Sequence, residues 1–265
     1  MSHRTFVRLA ALGAAGATAL FAAPAAFAAT GTAATTAAPA ISAFAHQETH
    51  GLHSLSGRTN SSVTSSNWSG YAATGSDGAF TSISSSWTQP TVTCGSKTTY
   101  SSYWVGLDGY SNSALEQTGT EADCIDGTAE YGAWWEVLPA SETDWSVTVE
   151  PGDSLTASVV DNGDGTFTMT LADSTEGWTK TKTADGSSGY EDSSAEVIAE
   201  ATEVNGSIAN LSDFGTVDFT DSTVDGNELS SYSPTEIVMA GSSDTKAQPG
   251  TLSGGAFSDT WKNYS

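Results

Sequence analysis

The sequence predicts an all-β protein in which antiparallel sheets pack face to face, as a sandwich or jelly roll. Three observations carry that reading. β-branched and aromatic residues recur at period two in "FTSISSSWTQP", "YSSYWVGLDG", "YGAWWEVLP", "WSVTVEPGDSLTASVV" and "GTFTMTLAD", the pattern of half-buried strands. Gly, Asp, Asn and Pro punctuate these runs, as turns require. Helix-period segments are nearly absent and nothing repeats, which leaves about a dozen short strands to be buried against one another.

The chain opens with a different composition. Arg4 and Arg8, an Ala/Leu/Gly-rich apolar run and the small-x-small triplet Ala26-Phe27-Ala28 read as a secretory leader over residues 1–28. The mature protein is therefore expected outside the cell. No later stretch reaches the roughly 18 apolar residues of a membrane span. Residues 29–64 are rich in Ala, Thr and Ser without periodicity and read as a pro-segment, disordered or removed. One folded domain is expected over residues 65–265, beginning where "NWSGYAA" starts to alternate.

Charge divides the chain at the same place. All three Arg and all four His lie before residue 60, with Glu48 as the one acid there; the rest holds 30 acidic residues against five Lys. Such a surface repels nucleic acid and anionic membranes, so neither is an expected partner. Near pH 2 most carboxylates are neutral, self-repulsion is small, and acid becomes a working condition, although an acidic surface also serves solubility alone. His46, His50, His53 and Arg58 could dock the pro-segment onto the acidic domain and cover its cleft.

Cys94 and Cys124 in an oxidising compartment are expected to pair, closing a loop of about 30 residues worth about 3 to 4 kcal/mol in the chain-entropy model. In "SLTASVVDNGDGTFTMTL" two alternating runs flank Asp161-Asn162-Gly163-Asp164-Gly165, a hairpin connection. Its Asp spacing resembles a calcium loop but lacks the bidentate Glu at the required place, and no metal or cofactor is expected. "SSAEVIAEATEVNG" is ambiguous, because Ala and Glu favour helix while Val197 and Ile198 allow a strand. In either form Glu196 and Glu200 share a side.

With no histidine after residue 53, a Ser-His-Asp triad, a Cys-His pair and imidazole zinc ligands are all excluded from the domain. Neither D-T-G nor D-S-G occurs, which removes the paired-aspartate proteases. Hydrolysis would rest on a carboxylate base, or on a Ser-Lys arrangement using one of five lysines.

Seven pieces, in order, carry a resemblance: "SNWSGY" at 66–71, "WVGLDG" at 104–109, "EQTGT" at 116–120, "AWWE" at 133–136, "EPGD" at 150–153, "SSAEVI" at 193–198 and "DFGTVDFT" at 213–220. Over roughly residues 66–220 the chain resembles the glutamic peptidases, or eqolisins. The resemblance implies a jelly-roll or lectin-like sandwich of two curved antiparallel sheets that cleaves peptide bonds of polypeptide substrates; with the acidic composition, action in acid is expected, and so is a monomer. It places the catalytic pair on Gln117 and Glu196, with Glu196 as general base and acid on water and Gln117 as donor to the developing oxyanion. It also places Trp68, Trp104, Asp108, Trp134 and Glu136 around the cleft as positioning or substrate-contact residues.

Other readings stay open on the residues alone. Gln117 could be an ordinary loop polar residue, and the tryptophans could be core, which is the preferred reading of Trp135. Glu200 and Glu203 read as solvated charges. Glu136 and Glu196 on one β face could serve a jelly-roll glycoside hydrolase, and exposed tryptophans could serve a non-catalytic carbohydrate-binding sandwich.

Overall fold

The computed structural model describes residues 48–56 and 62–265. The leader, residues 29–47 with His46, and Arg58 lie outside the described residues. Short β1 (Glu48–Thr49) and β2 (Leu55–Ser56) precede β3 (Ser62–Ser65), β4 (Trp68–Thr74), β5 (Ser82–Thr88), β6 (Ser102–Leu107), β7 (Glu116–Ile125), β8 (Thr128–Val137) and β9 (Thr143–Asp144). Then come β10 (Ser154–Asp161), β11 (Thr166–Asp173), β12 (Trp178–Asp185), β13 (Ser194–Glu200), β14 (Glu203–Val204), β15 (Ser207–Ile208), β16 (Thr216–Val224) and β17 (Asn227–Glu228). A 3-10 turn over Leu229–Tyr232 leads to β18 (Thr235–Ala240), β19 (Thr245–Pro249) and β20 (Phe257–Trp261).

The strands form two layers, as the period-two runs require. One runs β9-β8-β7-β6-β13-β4-β18-β3, antiparallel except for the parallel β18–β3 pair. The other runs β12-β11-β10-β5-β16-β20-β19. β19 also pairs with β18 and joins the layers at one edge. Between them lies the main core, with Tyr103, Val105, Ala195 and Val197 from the first layer against Ile83, Leu155, Val159, Phe167, Met169 and Phe219 from the second. Full burial of such a side chain is worth about 1.5–3 kcal/mol.

The ambiguous segment is a strand: β13 lies between β4 and β6, and all seven of its residues are buried. Burial on both faces overrides the helix preference of its Ala and Glu residues. β10 and β11 form the expected hairpin. Cys94 and Cys124 are joined, their Cα atoms 5.4 Å apart. Among the described residues no helix is long and apolar enough to cross a membrane.

The other face of the first layer has its own apolar cluster, Trp68, Ala72, Trp104, Leu115, Trp134 and Ile198, against which Leu52 and Leu138 pack. Residues 48–56, assigned from sequence to the pro-segment, contact this face directly. β1 pairs with β14, and β2 pairs with β3.

Candidate active site

Antiparallel register lines up side chains on this face. One row across five strands reads Ala72, Glu196, Gly106, Gln117, Glu136. Directly opposed residues point the same way, so Gln117 and Glu196 flank a residue with no side chain. Their Cα atoms sit two strand spacings apart, about 10 Å. Two residues along the strands, the row reads Gly70, Ile198, Trp104, Gly119, Trp134. The next reads Trp68, Glu200, Ser102, Glu121, Gly132. All three tryptophans assigned to the cleft therefore share the face of the candidate pair, and all are fully buried.

Gly106 keeps the gap open. A Cβ there would lie 2.8 Å from Leu115 Cδ1, 3.0 Å from Trp104 Cζ3 and 3.3 Å from the Cβ of Gln117. Gln117 Nε2 donates to Glu136 Oε2 at 2.6 Å and to the backbone carbonyl of His50 at 3.3 Å. The His50 N–H donates to the same Glu136 oxygen at 3.2 Å. Glu136 thus orients the carboxamide, and a peptide carbonyl already faces it.

Asp108 stands apart from this row. Its carboxylate accepts the backbone N–H groups of Glu191, Asp192 and Ser193 at 2.7–2.9 Å, together with Asn112 Nδ2 at 2.9 Å. Those bonds anchor the chain just before β13. Trp135 points to the opposite side, as its alternation requires. It packs against the main core, with the Trp145 ring 6.2 Å away and the Lys182 ammonium 4.8 Å above it.

Glu200 departs from the sequence reading: it is buried, not solvated. Its Oε1 accepts Asn67 Nδ2 at 2.9 Å, its Oε2 accepts Trp104 Nε1 at 2.8 Å, and His50 Nδ1 lies 3.3 Å from Oε2. Glu203 is partly exposed and pairs with His53. Sequence reasoning also did not single out Gly106, Asn67, Ser102 or Glu142. Glu200 was findable, because it shares a face with Glu196. Glu142, in the turn before β9, carried no signal.

Burial dominates the electrostatics. It pushes the Glu196 carboxyl well above the ordinary range; the Ser194 hydroxyl opposes this, while Asp108 and Glu116 add to it. Burial also raises Glu136 well above its ordinary value, helped by Glu142 and Glu200 and opposed by the donors His50 N–H and Gln117. Glu142 is pushed up to about 8 by burial and then by Asp144. With residues 48–56 seated, Glu136, Glu196 and Glu200 are fully buried, and that burial is the largest cause raising each of them.

A two-layer β-sandwich whose free face carries a carboxamide and a carboxyl on either side of a glycine is a specific arrangement. Residues 66–257 match the peptidase A4 family, and the chain belongs to that family. It is 32% identical over 189 residues to aspergillopepsin-2 of Aspergillus niger, covering 63% of this chain and 66% of the relative. It is 33% identical over 178 residues to scytalidopepsin B of Scytalidium lignicola, covering 62% and 66%. The chain thus spans 66% of the length of each of these curated relatives. Its structure is similar to that of scytalido-glutamic peptidase with a transition state analog inhibitor, with a TM-score of 0.65 at 28% identity, covering 74% of this chain and 98% of that one.

Proposed function

We propose that this protein is an exported, acid-acting endopeptidase that hydrolyses polypeptides with Gln117 and Glu196 as its catalytic pair. The observation that carries this reading is the His50 carbonyl 3.3 Å from Gln117 Nε2, beside the side-chain-free strip at Gly106. Glu196 takes a proton from water as the water oxygen bonds to the carbonyl carbon. Gln117 donates to the carbonyl oxygen as it gains charge, and Glu136 keeps the carboxamide aimed. The C–N bond then breaks, and Glu196 returns its proton to the departing amine. A neutral carboxamide suits acid and neutral media alike, because it donates at any pH and does not repel the carboxylate beside it.

Residues 48–56 make the described form a zymogen in this reading. The segment presents its His50 carbonyl to Gln117 as a substrate would, and burial raises the Glu196 carboxyl, which disfavours the ionised form a base needs. Opening the cleft rehydrates Glu196, lowers its pKa and switches on the base. The leader at residues 1–28 supports export. The glycosidase reading is not favoured: Glu136 and Glu196 stand three strands apart, with Cα atoms about 14 Å from each other, and Glu136 is engaged by Gln117.

The test is cleavage of an unfolded protein from pH 2 to 8 by the processed wild type, Gln117→Ala and Glu196→Gln. Acid-range cleavage is expected, with a loss of about 10² to 10³ in rate for Gln117→Ala and a near-complete loss for Glu196→Gln. Cleavage that survives both changes would refute the pair.

A further inference from the structure

We propose that Glu48, Glu121, Asp123, Glu142 and Asp144 form a binding site for a hard divalent cation of the calcium class, which clasps residues 48–56 to the domain. The site is separate from the candidate pair, since Glu121 stands four residues along β7 from Gln117, about 13 Å. It does not depend on the peptidase reading.

The fold gathers these carboxyls from three stretches of chain, a grouping that a sequence pattern does not show. Glu121 and Asp123 alternate onto one face of β7. Asp144 of β9 opposes Trp134 and so shares that face, with Glu142 two residues before it. β1 brings Glu48, whose backbone carbonyl accepts the Glu142 N–H at 3.4 Å. Carboxylate oxygens of Glu48, Glu121 and Asp123 lie within 4.8 Å of one another, and so do those of Glu121, Glu142 and Asp144. Two ligands on opposite sides of one calcium ion are separated by about that much, twice a Ca–O distance of about 2.3–2.6 Å. Asp144 is exposed and leaves a path from solvent.

What points to a ligand is the state of the oxygens. Glu121 is fully buried and Glu48 is 1% exposed, yet neither oxygen of either carboxyl has a hydrogen-bond partner among the described residues. Asp123 is fully buried too; its Oδ1 accepts the Ser101 N–H at 2.9 Å, which fixes the side chain and leaves Oδ2 without a donor. Among the described residues no Lys or Arg pairs with any of the five acids, and the one ion pair at the edge is His50 with Glu142 at 2.7 Å. Buried acceptors left this way are rare, because each is costly. Burial raises the Glu121 carboxyl well above its ordinary range, and Glu142, Glu48, Asp123 and Asp144 add to it in that order. A cation turns that repulsion into attraction and satisfies the orphaned oxygens together. An all-carboxylate set favours calcium, magnesium or manganese over zinc or copper, and calcium's flexible shell suits ligands drawn from separate strands better than the strict octahedron of magnesium. One ligand belongs to the segment and four to the domain, so the ion ties the two.

The experiment uses the full chain, stripped with EDTA at pH 7 and titrated with calcium chloride by calorimetry, beside melting curves with and without calcium. Saturable binding is expected with a Kd between about 10⁻⁶ and 10⁻³ M, together with a calcium-dependent rise in Tm. Glu121→Gln, Asp123→Asn and Glu48→Gln should each weaken binding by about 10-fold or more. Because a change at buried Glu121 or Asp123 can impair folding, Glu48→Gln, in the two-residue β1 outside the sandwich, gives the independent reading. Limited proteolysis followed by mass spectrometry should show calcium protecting residues 48–56 in the wild type and not in Glu48→Gln. No binding, or binding unmoved by all three substitutions, would overturn the site. Binding that Glu121→Gln abolishes while Glu48→Gln leaves both affinity and protection unchanged would overturn the clasp. None of these readings uses cleavage of a substrate, so the peptidase reading stands or falls separately.

Discussion

Replacing Gly106 with alanine tests whether the strip between Gln117 and Glu196 must be empty. The added methyl would sit 2.8 Å from Leu115 Cδ1, 3.0 Å from Trp104 Cζ3 and 3.3 Å from Gln117 Cβ, so each neighbour has to give way. Overpacking of this kind costs about 1–3 kcal/mol. Removing a glycine from a strand returns about 0.5–1 kcal/mol. The net destabilisation is about 1 kcal/mol, a fall of about 2–4 °C in Tm for a domain of this size. The effect on rate should be far larger, because a shift of up to 1 Å in a positioning group costs as much as about 10² in rate. Steady-state kcat/KM on an unfolded protein, measured beside a melting curve at the same pH, should show activity falling about 30- to 100-fold while the fold persists. If Gly106→Ala keeps activity within threefold of wild type, the empty strip is not what the chemistry needs.

Further outcomes follow from groups outside the pair. Burial pushes Glu48 up to about 9, Glu116 to about 7, Glu142 to about 8 and Asp259 to about 7, from ordinary values of 4.5 for Glu and 3.8 for Asp. Raised folded values give stability that is complete below about pH 4 and is lost as pH rises through 7–9, so Tm should be highest in acid; Lys246, lowered to about 8, opposes this only in part. A Tm that climbs from pH 4 to 8 would contradict the burial of these carboxyls. Asp108→Ala strips acceptors from three backbone N–H groups, and should cost about 3 kcal/mol in urea titration, with kcat falling as the chain entering β13 loosens. Replacing Cys94 and Cys124 with serine should cost about 3 to 4 kcal/mol, and an unchanged urea midpoint would show that the 94–124 loop is fixed by pairing alone.

Legibility in the sequence depended on whether a residue's surroundings were local. The β10–β11 hairpin could be read because its alternation and its turn lie within one short segment. β13 could not be assigned as strand or helix, since what decides it is burial between β4 and β6, strands far away in the chain. Glu196 and Gln117 were placed by motif resemblance, and register then put them either side of Gly106, a relation no single segment contains. Glu200 was misjudged because a glutamate in a strand ordinarily faces water. Its burial is created by Asn67, Trp104 and His50, which come from elsewhere. The histidines before residue 60 stood out as the only imidazoles in an acidic chain, and two of them, His50 and His53, do meet carboxylates of the domain. That pairing followed from charge alone.

The insertion of β13 between β4 and β6 has a consequence for the cell that makes this protein. Five strands, β8 to β12, separate β7 from β13 along the chain, so no single hairpin holds both residues of the proposed pair. On the proposed assignment, a polypeptide that has not yet placed β13 lacks a working centre with which to attack its neighbours. On that assignment, the centre is complete only once β13 lies between β4 and β6. The same seam sets how capability is lost: an opening that frees β13 separates Glu196 from Gln117 at once, so inactivation by heat should be all-or-none rather than a gradual dulling.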